Sequence, residues 1–284
     1  MKLIRFGNPG EEKPGLQLED GRRIDASAFG SDYDEKFFGG DGLERLAAWA
    51  KANAASAPVV SADTRLGPCI ARPSKIICIG LNYSDHAEES GLAIPAEPVV
   101  FMKDPSTLVG PYDDVLIPRR SVKTDWEVEL GVVIGREARY LDSPADSASV
   151  IAGYAVSHDV SEREFQLERS GQWDLGKSCE TFNPFGPELV PADEIANPQA
   201  LGLRLWVNGT PRQNGTTATM IFPIDHIIWY LSQYMVLRPG DVVNTGTPAG
   251  VALGMPDKPY LRPGDVVELE IDGLGRAKQT VAEA

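Results

Sequence analysis

Cysteine and histidine are scarce in this chain. Its 284 residues hold three of each. Cys69, Cys78 and Cys179 show no C-x-x-C spacing and have mostly apolar neighbours, so they read as buried free thiols rather than a metal or redox motif. Long apolar runs are missing too: nothing approaches the roughly 18 residues of a membrane span. The first residues, "MKLIRFGNPG", lack both the apolar stretch and the small-residue cleavage site of a secretory signal. A cytoplasmic, reduced protein is expected. Positive charge is in deficit, with 27 Lys and Arg against 41 Asp and Glu and a net charge of −14. That balance argues against a nucleic-acid or anionic-membrane surface. It leaves an anionic small substrate open, because a bound divalent cation reverses the local field. There is no G-x-G-x-x-G and no βα alternation, which excludes a Rossmann reading.

What is present suggests one large domain with a small appendage, since 42% of the residues are hydrophobic and the length can bury a sizeable core. Residues 1–70 read as the small unit. Within it, "LQLEDGRRIDAS" has a hairpin signal at Asp20-Gly21. "GLERLAAWAKANA" puts Leu43, Leu46, Ala47 and Ala50 on one helical face, and "ASAPVVSADTRLGPCIARPSK" reads as a connector. Residues 71–284 form the main domain, with strand-like runs such as "KIICIG", "PVVFMK", "EVELGVVIG", "GYAVSHDV", "LRLWVNG", "DVVNTG" and "DVVELEIDG". "RPGDVV" occurs twice, at 238–243 and 262–267, as a turn feeding a strand. One helix is clear: "PIDHIIWYLSQYM" aligns Ile224, Ile227, Ile228, Leu231, Tyr234 and Met235. The Asn208-Gly209-Thr210 and Asn214-Gly215-Thr216 triplets read as turns. The expected class is α+β with a mixed, strand-rich sheet system.

Four stretches carry chemistry. In "DWEVELGVVIG", Glu127 and Glu129 share one strand face, about 6–7 Å apart. A solvated strand would show the same spacing, but the apolar run that follows argues for burial. In "GYAVSHDVSEREFQ", Asp159 sits at a strand tip, either aimed into a cleft or capping a helix. His158 alone reads as a partly buried histidine. Three carboxylates without a Cys or His cluster suit Mg²⁺ or Mn²⁺ better than Zn²⁺. In "GQWDLGKSCETFNPFGP", Lys177 is either a surface lysine or a cation for an anionic substrate. In "NTGTPAGVALG", Gly246 and Thr247 offer backbone N–H groups and a hydroxyl to an anion.

Taken in order, "IGLNYSDHAEESG", "EPVVFMKDPSTLVGP", "DWEVELGVVIG", "SHDVSEREFQ", "WDLGKSCETFNPFGP" and "PGDVVNTGTPAGVALG" resemble the fumarylacetoacetate hydrolase superfamily over about residues 73–284. The resemblance implies a mixed β-sandwich roll with a small N-terminal α+β unit, and a homodimer. It implies Mg²⁺ or Mn²⁺ on Glu127, Glu129 and Asp159. Lys177 would contact substrate oxygens, Thr247 the substrate carboxylate, and Arg163 and Gln166 the substrate. Lys103, Tyr83 and Gly246 complete the expected substrate contacts. His86 and Glu89 match an H-x-x-E pair on a short helix over the site, expected to activate water.

Within the superfamily, "SGQWDLGKSCETFNPFGPELV" and "TRLGPCIARPSKIICIGLNYSDHAEESG" most resemble bacterial hydrolases of 2,4-diketo-3-deoxy-L-rhamnonate and L-fuconate. The implied reaction splits a small anionic diketo acid at a carbon–carbon bond, giving pyruvate and L-lactate from the rhamnonate. Acylpyruvate hydrolysis and oxaloacetate decarboxylation use the same metal set, and similar sequences are also called ureidoglycolate lyases. A non-catalytic cation-binding module needs neither Lys177 nor the His86/Glu89 pair.

Overall fold

The structure is a computed structural model. It describes residues 1–89 and 93–284, and only the backbone at positions 86 and 87. The chain opens with a four-stranded antiparallel sheet: β1 (Lys2–Phe6), β2 (Lys13–Gln17), β3 (Arg23–Asp25) and β4 (Val59–Val60). The β2–β3 hairpin turns at Asp20-Gly21 as the sequence suggests. Helices α1 (Glu35–Gly39) and α2 (Gly42–Asn53) follow β3. The expected connector is more than a linker: Val59–Val60 is the fourth strand, and Cys69 and Ile70 are fully buried.

Next come β5 (Ile76–Gly80), α3 (Ser84–Glu89), β6 (Val99–Lys103), β7 (Leu108–Val109), β8 (Val115–Ile117), β9 (Thr124–Asp125) and β10 (Val128–Ile134). Then follow β11 (Ile151–His158), β12 (Ser161–Glu162), α4 (Arg163–Leu167), α5 (Asp174–Lys177), β13 (Asn183–Pro184) and β14 (Val190–Pro191). The last stretch holds β15 (Gly202–Val207), β16 (Thr210–Thr216), α6 (Ile224–Ser232), β17 (Val242–Asn244), β18 (Val266–Ile271) and β19 (Gly275–Glu283).

Two large sheets form the body. One has the order β14-β11-β10-β17-β5-β6 and the other β16-β15-β18-β19-β8. Both mix parallel and antiparallel pairs. The expected strand-rich α+β roll is therefore what the chain forms. Alternation along β10 divides its side chains between two cores. Val128, Leu130 and Val132 face the five-stranded sheet and α6. Val133 faces a second cluster built with Leu3, Leu16, Ile24 and Phe37 of the first sheet. That first sheet thus packs on the main domain, and β1 also exchanges backbone hydrogen bonds of 2.9 Å with Leu189.

Local chemistry explains several elements. In both "RPGD" turns the Asp carboxylate accepts from the Arg amide at 2.7 Å, with Gly240 and Gly264 at φ of 84° and 91°. Such a φ suits glycine and follows the proline of a tight turn. Asn208-Gly209 is likewise a hairpin turn with both φ values positive. Asn214-Gly215 is not a turn; it lies within β16, and a Cβ on Gly215 would sit 2.4 Å from Pro248 Cβ. Helix α6 stops at Ser232, so the expected stripe ends early and Tyr234 is 66% exposed. The cysteines are free thiols; Cys69 and Cys78 are buried, whereas Cys179 is half-buried. Among the described residues no helix is long and apolar enough to cross a membrane.

Candidate active site

The antiparallel register of β10 and β11 builds the site. Val128 pairs with His158 and Glu129 with Ser157, which sets Glu127 beside Asp159. Their backbones join there, the Asp159 N–H donating to the Glu127 carbonyl at 3.0 Å. Glu127, Glu129 and Asp159 are all buried, and each offers an oxygen within 4.8 Å of the others. Two like charges opposed across a ladder repel, so this arrangement needs compensation.

Much of the compensation comes from buried cations. Lys177 Nζ donates to Glu127 Oε2 at 2.7 Å and to Asp159 Oδ2 at 2.8 Å. Burial alone would lower its pKa, but Asp159 and Glu127 override this and hold the ammonium protonated well above its ordinary range. Lys103 donates to the other Asp159 oxygen and to the Val160 carbonyl. Arg163 donates to Glu127 at 2.7 Å, to Asp125 at 2.8 Å and to Gln166 at 3.0 Å. Glu129 is different. It makes no ion pair among the described residues and accepts only the Gly246 N–H, at 2.8 Å. Burial first, then Asp159 and Glu127, push its carboxyl well above the usual range.

Gly246 reaches Glu129 because it has no side chain. Its φ is 97°, and a Cβ would lie 2.8 Å from Asn82 Cβ and 3.1 Å from the Ile79 carbonyl. Were the three carboxylates to hold Mn²⁺, Gly246→Ala should displace this backbone and weaken the binding by about tenfold, the lower end of losses on disturbing a ligand's support. Calorimetric titration checks it; unchanged affinity would mean that the amide contact is incidental.

A cavity of about 380 Å³ opens over Glu127 and Glu129. Glu127, Glu129, Arg163, Lys177 and Thr247 lie at its polar end; Ile79, Leu81, Phe101, Trp173 and Leu253 make apolar walls. Glu89 and Gly254 are at the rim, where Glu89 accepts from the Gly250 N–H at 3.0 Å. The His86 side chain, expected to pair with Glu89, lies outside the described residues.

The other expected substrate contacts are placed as follows. Gln166 lines the cavity, its amide oxygen on Arg163. Thr247 also lines it, but its hydroxyl donates to the Val128 carbonyl at 2.9 Å and accepts from Gln213 at 2.8 Å. That proton is spent on β10. Gly246 likewise spends its N–H on Glu129. Lys103 and Tyr83 are buried and do not line the cavity. The lysine is held on Asp159, and the Tyr83 hydroxyl is buried with no partner among the described residues. His158 is fully buried: Nδ1 meets Gln279 Oε1 at 3.0 Å, Nε2 has no hydrogen-bond partner among the described residues, and burial lowers its pKa to about 3.

Sequence reasoning missed Asp125 and Gln213. Asp125 was readable from spacing, since D-x-E-x-E continues the alternation of Glu127 and Glu129. Gln213 gives no signal in a polar strand, yet its side chain ties Val128 to Thr247 and Pro248.

The fold and the buried carboxylate set are those of a known enzyme family. The family model described as fumarylacetoacetate (FAA) hydrolase C-terminal matches residues 75–282, and the chain belongs to that family. A Burkholderia multivorans protein named only a putative hydrolase is 50% identical, each chain covered in full. Fumarylacetoacetate hydrolase from Exiguobacterium antarcticum is 32% identical, with complete coverage of both chains and a TM-score of 0.84. Maleylpyruvate hydrolase from Sphingobium sp. SYK-6, solved with manganese(II) and pyruvate, is 28% identical over both whole chains, with a TM-score of 0.83. The scaffold also serves 2-hydroxyhepta-2,4-diene-1,7-dioate isomerase from Mycobacterium marinum, 30% identical at 100% and 98% coverage, TM-score 0.74.

Proposed function

We propose that this hydrolase splits a carbon–carbon bond of a short 2,4-dioxo acid, using Mg²⁺ or Mn²⁺ and releasing pyruvate. One observation carries the reading: Glu127, Glu129 and Asp159 converge, buried, and two of them, Glu127 and Glu129, line a cavity sized for a small acid. The donor set fits a hard divalent ion, because all three ligands are carboxylate oxygens. Charge fits as well. Asp125, Glu127, Glu129 and Asp159 face Lys103, Arg163 and Lys177, and Glu129 is the carboxylate left without a cation. When bound, the ion would polarise the substrate's carboxylate and 2-oxo oxygens and stabilise negative charge developing there.

The chain's own groups supply the rest. Water adds at C4, the C3–C4 bond breaks, and its electron pair becomes the enolate of pyruvate, protonated at C3. Lys177, held protonated against two carboxylates, is placed to donate a hydrogen bond to the enolate oxygen. The H-x-x-E spacing of His86 and Glu89 in the sequence assigns His86 to deprotonate the water. Among the described residues, the two cations that reach the cavity, Lys177 and Arg163, are already engaged by carboxylates, while the remaining walls are largely apolar. This favours a substrate with one carboxylate and a small neutral tail. Together with the motif resemblance it supports a 2,4-diketo-3-deoxy sugar acid, with 2,4-diketo-3-deoxy-L-rhamnonate giving pyruvate and L-lactate.

The test is a pyruvate-release assay on 2,4-diketo-3-deoxy acids, acylpyruvates and oxaloacetate. We expect turnover of a 2,4-dioxo acid that EDTA abolishes and Mn²⁺ restores. Release from oxaloacetate alone would make the protein a decarboxylase, and no release from any 2,4-dioxo acid would refute the assignment.

A further inference from the structure

We propose that Asp125 is a positioning residue that couples Glu127 to the cavity rim at Ala252–Gly254, so that metal loading and rim order are linked; this rests on the carboxylate cluster being the metal centre. Asp125 sits on β9, which pairs with β12 in the register Ser161↔Asp125. Arg163 follows β12 at once, and its N–H donates to the Lys123 carbonyl at 3.1 Å. One short ladder therefore fixes both residues side by side.

The Asp125 carboxylate is fully buried and accepts from four donors. One oxygen takes the Trp126 and Ala252 N–H groups, both at 2.8 Å. The other takes the Leu253 N–H at 3.0 Å and Arg163 Nε at 2.8 Å. The second arm of Arg163 lies on Glu127 at 2.7 Å. An unbroken chain thus runs from the rim amides through Asp125 and Arg163 to a metal ligand. Leu253 and Gly254 line the cavity. Their segment is fastened from below by Asp125 and by Trp126 Nε1, which donates to the Gly250 carbonyl at 3.0 Å. It is fastened at the rim by Glu89 on the Gly250 N–H.

A carboxylate serving only to anchor a turn would not need the arginine. With it, Arg163 has a counter-charge of its own, and its fork can stay on Glu127 while that oxygen's charge is drawn towards a cation. Without the Asp125 charge, Arg163 depends on Glu127 alone and competes with the ion. Partners of this rank are worth about 10–100-fold in metal affinity. Coupling is reciprocal, so metal binding should in turn steady the rim amides.

The experiment measures Mn²⁺ affinity by calorimetry and amide exchange at Gly250–Gly254 on the full chain. In Asp125→Asn one oxygen becomes an NH₂ group, which cannot accept, and two of the four donors lose their acceptor. We expect Mn²⁺ to bind it about 10–100-fold more weakly, with faster rim exchange. Arg163→Lys keeps the Asp125 bonds to the rim but removes the fork. Its metal-free rim should exchange as in wild type, yet Mn²⁺ should no longer slow it. In wild type, Mn²⁺ should slow exchange at Ala252 and Leu253, a comparison that stands even if Asp125→Asn fails to fold. Equal Mn²⁺ affinity in wild type and Asp125→Asn, or a wild-type rim indifferent to Mn²⁺, overturns the coupling. A wild type that takes up no Mn²⁺ overturns the metal centre itself.

Discussion

Glu129→Gln should abolish Mn²⁺ binding and turnover while making the metal-free protein more stable. The loss follows from removing a charged ligand; even changes one layer out cost about 10–100-fold in affinity, and a direct ligand should exceed that. The gain follows from burial. Glu129 has no cationic partner among the described residues, and its carboxyl is pushed well above the ordinary value of 4.5 by burial and by Asp159 and Glu127. Glutamine keeps the shape and can still accept the Gly246 N–H. Relieving a buried, incompletely compensated charge is worth upward of about 1 kcal/mol. The pH dependence has a definite sign. A carboxyl whose folded pKa is raised destabilises the fold once pH exceeds its unfolded value, increasingly until the folded value is passed. The Tm advantage of the variant in EDTA should therefore vanish below pH 4.5 and grow as pH rises. Retained Mn²⁺ binding, or a lower Tm at neutral pH, would refute this role.

Lys177→Met should cost both rate and stability. The ammonium bridges Glu127 and Asp159, and removing one member of a buried ion pair typically costs about 3–5 kcal/mol. Lys103 and Arg163 each still hold one of those carboxylates, so the lower end is expected. Thermal unfolding in EDTA reads it, and Mn²⁺ should recover part of the loss. In turnover, losing a donor to developing enolate charge should lower kcat by about 10²–10³. KM should change little, because the interaction strengthens in the transition state. A rise in KM alone would make Lys177 a ground-state contact.

The carboxylate cluster was legible because strand alternation is local: Glu127 and Glu129 sit two residues apart, and Asp159 follows a strand read from its apolar run. What the sequence could not give is the β10–β11 register that sets Glu127 beside Asp159, nor which partner each cation takes. Lys103 and Thr247 also hydrogen-bond to Asp159 and to Val128, contacts made by packing between distant segments. Strands β16 and β19 escaped notice because they carry few large apolar residues. In β19 the inward positions are Ala277, Gln279 and Val281, too mixed for a hydrophobic period. Asn214-Gly215 misled for a related reason, since that glycine answers to Pro248 across the fold rather than to a turn.

The face of β10 that carries Glu129 also carries Val133, and the cluster on that face extends from Leu3 and Phe37 to Phe101 at the cavity wall. The amino-terminal sheet is therefore the back plate of the reaction chamber, not luggage attached to it. Exchange of that sheet between relatives, by recombination or by a designer, carries a fitting requirement. A donated sheet must match the contour set by Val133, Ala155, Phe185 and Val242, or the mismatch is passed along packed side chains to the cavity wall at Phe101.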